Sequence, residues 1–129
     1  MTIKTIPFAN AANFDTEITS IVASAPGPVL VVFTGDEVPE TGKSWCPDCA
    51  NTLPLIRARV AKHANVTLVE ALTGERSLWR DPNNPYRVHA QIKLERIPTL
   101  VRWTKSGPGA TRLIEDECAD EAKLAGLIA

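Results

Sequence analysis

Two cysteines stand three residues apart in Trp45-Cys46-Pro47-Asp48-Cys49. The polar stretch Gly35 to Ser44 precedes them, and an apolar run, Val29 to Phe33, precedes that. A helix-like pattern follows. Thiol–disulfide exchange needs this layout. The first cysteine sits at a helix N-terminus, where unpaired N–H groups and the helix dipole favour a thiolate. The second lies within reach one turn on. A C-x-x-C pair also suits half of a zinc site or an incidental structural pair. The strand before it and the helix after it favour the redox reading. Tetrahedral zinc needs four ligands, or three plus water, and spacing fixes no third here.

The neighbours set the chemistry of the sulfurs. Free cysteine titrates near ~8.5, and Cys46 is expected below that. Asp48 opposes this, because a carboxylate beside a thiolate penalises the second charge. Lys43 offsets Asp48 if the preceding loop folds back. Pro47 enters the first helical turn without losing a needed hydrogen bond. Trp45 covers one side of the sulfurs, or anchors the core, or both. Cys118 is the odd thiol. It reads as a small buried hydrophobe, with a second redox partner as the alternative. His63 and His89 have no second ligand at a convincing spacing and read as surface or packing residues.

The elements that must position this pair come from composition and pattern. A chain of 129 residues suits a single domain, 1–129, with its own core. Its formal charge of -1 gives no reason to expect nucleic acid or an anionic membrane. No apolar run approaches the ~20 residues of a membrane helix. The start of the chain does not resemble a signal peptide, so a cytoplasmic, reducing location is expected. Three cysteines do not make a disulfide scaffold.

In chain order, Thr2 to Ile6 is a weak edge strand ended by Pro7. Asn13 caps a helix whose apolar face is Phe14, Ile18, Ile21 and Val22. Pro26-Gly27-Pro28 stops it. Val29 to Phe33 reads as a strand buried on both faces. Thr34 to Ser44 reads as a loop, long enough to have a role at the site, with a tolerated insertion as the alternative. The next helix runs from Cys46 to about Ala64, with Pro54 inside it. Arg57, Arg59 and Lys62 form its wet side. Val66 to Glu70 is a strand, and Tyr86 to Ile92 a short helix. Ile97-Pro98-Thr99 leads into the strand Leu100 to Thr104. Ser106 to Gly109 is a roughly four-residue turn, and Thr111 to Glu115 a returning strand. Asp120 to Ile128 closes the chain as a helix. The fold class is therefore α/β: a mixed central β-sheet flanked by helices on both faces.

The order of elements, the C-x-x-C at the start of the second helix, and Ile97-Pro98-Thr99 before the hairpin resemble thioredoxin. The match extends to Phe33-Thr34-Gly35, Gly42-Lys43-Ser44-Trp45-Cys46-Pro47-Asp48-Cys49, Trp79-Arg80-Asp81-Pro82-Asn83-Asn84 and Glu115-Asp116-Glu117-Cys118. This combination resembles the thioredoxin domain-containing protein 17 family, the fourteen-kilodalton thioredoxin-related proteins. The resemblance implies a thioredoxin-like fold and cytosolic disulfide reduction. It implies Cys46 as nucleophile, Cys49 as resolving cysteine, and electrons from NADPH through thioredoxin reductase. It implies a cis Pro98 beside the pair, leaving the backbone of its neighbour Ile97 free to pair with an extended substrate. Substrates would be small disulfides or selected protein disulfides, and a monomer with no bound cofactor or metal is expected. Thioredoxin carries a buried aspartate under the cysteines. The matching residue here is Val32, so that base is missing, as it is in the close family. The other function consistent with the same cysteines is a redox-responsive binding module that releases its client on oxidation.

Overall fold

The computed structural model describes residues 1–129. In chain order it contains strand β1 (Thr2–Ile6), helix α1 (Phe14–Ser24), strands β2 (Val29–Thr34), β3 (Glu37–Val38) and β4 (Lys43–Ser44), and helix α2 (Pro47–Val60). Strand β5 (Thr67–Leu72) follows, then the short helices α3 (Arg76–Arg80) and α4 (Pro85–Val88). Strands β6 (Thr99–Thr104) and β7 (Gly107–Ile114) and helix α5 (Glu121–Ile128) complete the chain.

Side-chain alternation explains why β2 lies at the centre. Val29, Val31 and Phe33 point to one face and pack with Phe14 and Ile18 of α1. Leu30 and Val32 point to the other and pack with Leu53, Ile56 and Val60 of α2. A strand covered on both faces is apolar along nearly its whole length, and β2 is buried throughout, with Thr34 at its end the one polar residue. Each such large side chain contributes on the order of 2 kcal/mol relative to exposure. The sheet order is β1-β5-β2-β6-β7. β1 and β2 run parallel to β5, while β6 and β7 are antiparallel additions. The mixed sheet with helices on both faces is the architecture expected from the sequence. An aromatic group of Phe14, Phe33, Tyr86 and Trp103 fills the α1 side. Leu124 and Leu127 of α5 close the α2 side.

Several local expectations are corrected. Asn13 does not cap α1 with its side chain, because a 3-10 turn, Phe8–Asn13, runs straight into the helix. α2 spans Pro47–Val60 and ends short of Ala64. The expected helix Tyr86 to Ile92 is only Pro85–Val88. There Asn84 Oδ1 accepts the Tyr86 N–H, and His89 Nδ1 accepts the Gln91 and Ile92 N–H groups at 3.1 and 3.2 Å, which ends the turn. His89 Nε2 then donates to Asp15 at 2.7 Å, a packing role. The final hairpin turns on Lys105 and Ser106 alone, since Thr104 pairs with Gly107. Gly107 takes φ +102°, a conformation that favours glycine. Pro108 is tolerated because β7 is an edge strand. Thr34 to Ser44 is more than a loop. Thr34 ends β2, and β3 and β4 pair as a small antiparallel ribbon.

Candidate active site

Cys46 is the N-cap of α2, with extended backbone angles, and Pro47 occupies the first turn. The free N–H of Cys49 therefore points back at Cys46 Sγ and donates to it at 3.3 Å. Both thiols are unbonded, as is Cys118. Cys46 is 7% exposed and Cys49 is fully covered. Cys46 is thus the more accessible of the two, although it is itself largely enclosed.

The Cys46 thiol is lowered to about 7. A hydrogen bond from the Cys49 side chain is the largest cause, and burial opposes it. The backbone N–H groups of Cys49 and Asp48 add to the lowering, and the Asp48 charge works against it. The partner thiol of Cys49 moves the other way. It holds its proton in the bond to Cys46 and is buried, so its pKa is pushed far up. One thiol is poised to ionise and the other to donate.

Trp45 is tied by both of its nitrogens. Its backbone N–H donates to Asp36 at 3.2 Å, and its indole Nε1 donates to the Gly74 carbonyl at 2.9 Å. The Arg76 guanidinium lies over the ring, 5.5 Å from its centre. Gly35 allows this packing. A Cβ there would stand 2.9 Å from the Trp45 ring and 3.0 Å from Ser44 Oγ. Ser44 Oγ donates to the Gly35 carbonyl at 2.8 Å and accepts the Cys46 N–H at 3.2 Å, so β4 feeds the chain into the cap. Asp36 Oδ1 accepts the Gly74 N–H at 3.0 Å. The β3–β4 ribbon is thereby stitched to the turn before α3.

The Ile97–Pro98 peptide bond is cis, as the resemblance implied. The Ile97 carbonyl lies 4.0 Å from Cys46 Sγ. The Ile97 N–H donates no hydrogen bond within the chain.

Some expectations fail. Lys43 does not compensate Asp48. Its side chain is exposed and forms no ion pair, and its charge is not among those acting on Cys46. The Thr34 to Ser44 stretch carries Asp36, Glu37 and Glu40, yet it does not present a purely acidic wall. Asp36 accepts the Gly74 N–H, Glu37 lies 4.0 Å from Arg57, and a 710 Å³ cleft between ribbon and α3 sets Arg76 and Arg80 beside these carboxylates and Glu75. Arg57 is not simply on a wet face. It makes a two-pronged pair with the buried Glu70 at 2.7 and 2.8 Å. Cys118 is fully buried and donates to the Leu113 carbonyl at 3.2 Å, with its thiol pushed up to about 12 by burial. It fills space. Sequence reasoning also missed Thr34, Gly35 and Gly74 as site residues. The glycines' only signal was their position beside the loop ends.

No group of three or more His, Cys, Asp or Glu side chains is arranged as metal ligands, and no helix is long and apolar enough to cross a membrane.

A five-stranded mixed sheet with a C-x-x-C pair capping the helix after its central strand defines a thioredoxin-fold dithiol protein. Thioredoxin O2 of Arabidopsis thaliana in the oxidised state superposes with a TM-score of 0.62 at 17% identity, over 99% of this chain and 96% of that one. Spinach chloroplast thioredoxin f gives the same TM-score of 0.62 at 12% identity, over 98% of this chain and 84% of that one. Residues 9–129 match the family model described as thioredoxin domain-containing protein 17-like, thioredoxin domain, and the chain belongs to that family. It is 36% identical to the thioredoxin-like protein Clot of Oryza sativa subsp. japonica, over 91% of this chain and 89% of that protein. It is 34% identical to the human thioredoxin domain-containing protein 17, over 70% of this chain and 68% of that protein.

Proposed function

We propose that this protein is a cytosolic dithiol–disulfide reductase, acting as a monomer on small disulfides and selected protein disulfides. The observation that carries the reading is the asymmetry of the pair: an N-cap Cys46 thiol lowered to about 7 beside a fully buried Cys49 that keeps its proton.

The Cys46 thiolate attacks one sulfur of the substrate disulfide. A Cys46–substrate bond forms, the substrate S–S bond breaks, and the other substrate sulfur leaves as a thiolate. Cys49 then attacks Cys46 Sγ. The intramolecular disulfide forms, and the second substrate thiol departs with the proton that Cys49 gave up. Two electrons from NADPH, delivered through thioredoxin reductase, return the pair to two thiols. No cofactor of the chain's own is needed. The unpaired Ile97 N–H beside the cis Pro98 suits an extended substrate backbone laid next to Cys46. Trp45, immediately before Cys46, is held in place by its indole bond to the Gly74 carbonyl.

The ordered mechanism is tested by trapping. A Cys49→Ser variant mixed with a disulfide substrate is expected to accumulate a mixed disulfide at Cys46, read by mass spectrometry. Cys46→Ser is expected to form none. Equal trapping by both variants would contradict the assignment.

A further inference from the structure

The resolving step requires a negative charge to develop on a sulfur sealed from solvent, and Val32 brings no base to it. β2 supplies something else. Its even positions, Leu30 and Val32, pack against α2, so Thr34 two residues on faces the same helix at its N-terminal end. Thr34 is fully buried, and its Oγ1 has no hydrogen-bond partner. A buried hydroxyl without a partner costs free energy and calls for an explanation. Its backbone is fixed: the Thr34 carbonyl accepts the Thr73 N–H at 2.9 Å and the Thr73 hydroxyl at 3.2 Å. The Gly35 N–H, also buried, donates to no backbone carbonyl. The Gly35 N–H and, after it, the Thr34 hydroxyl are the two groups that favour negative charge on Cys49 Sγ. Glu70 and Asp36, two carboxylates in or beside this part of the sheet, are engaged elsewhere, Glu70 with Arg57 and Asp36 with the Gly74 N–H.

We propose that the Thr34 hydroxyl, together with the Gly35 N–H, steadies the Cys49 sulfur as it becomes a nucleophile. The inference rests on the dithiol reading above. Thr34 takes no net proton. It donates its O–H to Cys49 Sγ while the Cys49 proton passes to the departing substrate sulfur, the Cys49–Cys46 bond forms and the Cys46–substrate bond breaks. Thr34 acts on the reacting sulfur in the second step and has no part in the first.

A chromogenic aromatic disulfide separates the steps, because attack by Cys46 releases one coloured thiolate and resolution by Cys49 releases the second. With Thr34→Val, the first phase is expected to keep its rate. The second is expected to slow about tenfold, the scale of a hydrogen bond to a charged group. Thr34→Ser is expected to stay near the wild-type rate. Thermal melting adds a readout that separates this from a packing role. Removing an unpaired buried hydroxyl is expected to leave the melting temperature of Thr34→Val unchanged or raised while resolution slows. Thr34→Ala makes the same kinetic comparison should the valine variant fail to fold. An unchanged second phase, a serine variant as slow as the valine one, or both phases falling together with stability would each overturn the proposal. A wild-type protein that releases no second equivalent would overturn the dithiol reading itself, and the inference with it.

Discussion

A thiol that titrates near 7 is about half thiolate at neutral pH, whereas an ordinary cysteine is a few per cent thiolate. Cys46 reaches this state despite burial and despite Asp48, so the donated hydrogen bonds outweigh both. The sign of the pH dependence follows. Below about 7 the sulfur is protonated and slow, and above it the rate levels off. Brief alkylation of the reduced protein with iodoacetamide, followed by peptide mapping, is expected to label Cys46 with a half-point near 7. Cys49→Ala removes the largest lowering influence, so that half-point is expected to move upward. Cys118, buried and pushed up to about 12, is expected to stay unlabelled at pH 8 in the folded protein. A half-point unchanged by Cys49→Ala would show that the backbone N–H groups alone tune the sulfur. At this scale the sequence is legible where residue type announces chemistry. Two cysteines at a helix start and a proline before a strand are such signals. Thr34 is not, because a threonine at a strand end has many bland uses, and only burial without a partner marks it.

The elements around the pair are held by contacts that sequence periodicity does not carry. Arg57 of α2 and Glu70 of β5 are distant in sequence and meet only once the sheet is formed. Glu70 is nearly covered, while Arg57 retains 37% of its side-chain exposure, so solvent weakens the pair. Arg57→Ala leaves a buried carboxylate without its partner, and a loss of about 2 kcal/mol is expected in urea unfolding, less than for a fully buried pair. Arg57→Ala combined with Glu70→Leu is expected to recover most of that loss. Non-recovery would place the cost in packing instead. The ribbon β3–β4 was hidden for a related reason. Each strand has two residues, too few for any alternation to be read, and its anchors are long-range bonds to Gly74. Because it borders Trp45, it is expected to restrict access by large partners. Replacing Val38 to Gly42 with a short link is expected to shift turnover toward a large protein disulfide relative to a cystine-sized one. An unchanged ratio in a folded variant would show that the ribbon is not the gate.

At the scale of the whole molecule, the sequence pattern carried the order of elements and the mixed sheet. The run Val29 to Phe33, apolar at every position, can only be central, and the Ser106–Gly109 turn requires a hairpin. Boundaries were less legible, since α4 is ended by the His89 ring and β7 begins inside the predicted turn. The fold brings the Ile97–Pro98 turn beside Cys46 at the cap of α2, and holds the preceding Trp45 under Arg76. That arrangement should do more than bind a client once. Supplied with NADPH, thioredoxin reductase and a small disulfide, the protein is expected to consume NADPH steadily over many equivalents, in proportion to its concentration, and Cys46→Ser is expected to consume none above background. Oxidation of a single equivalent followed by arrest, with the reductase active on its own substrate, would contradict the reductase reading and point to a redox-responsive binding protein.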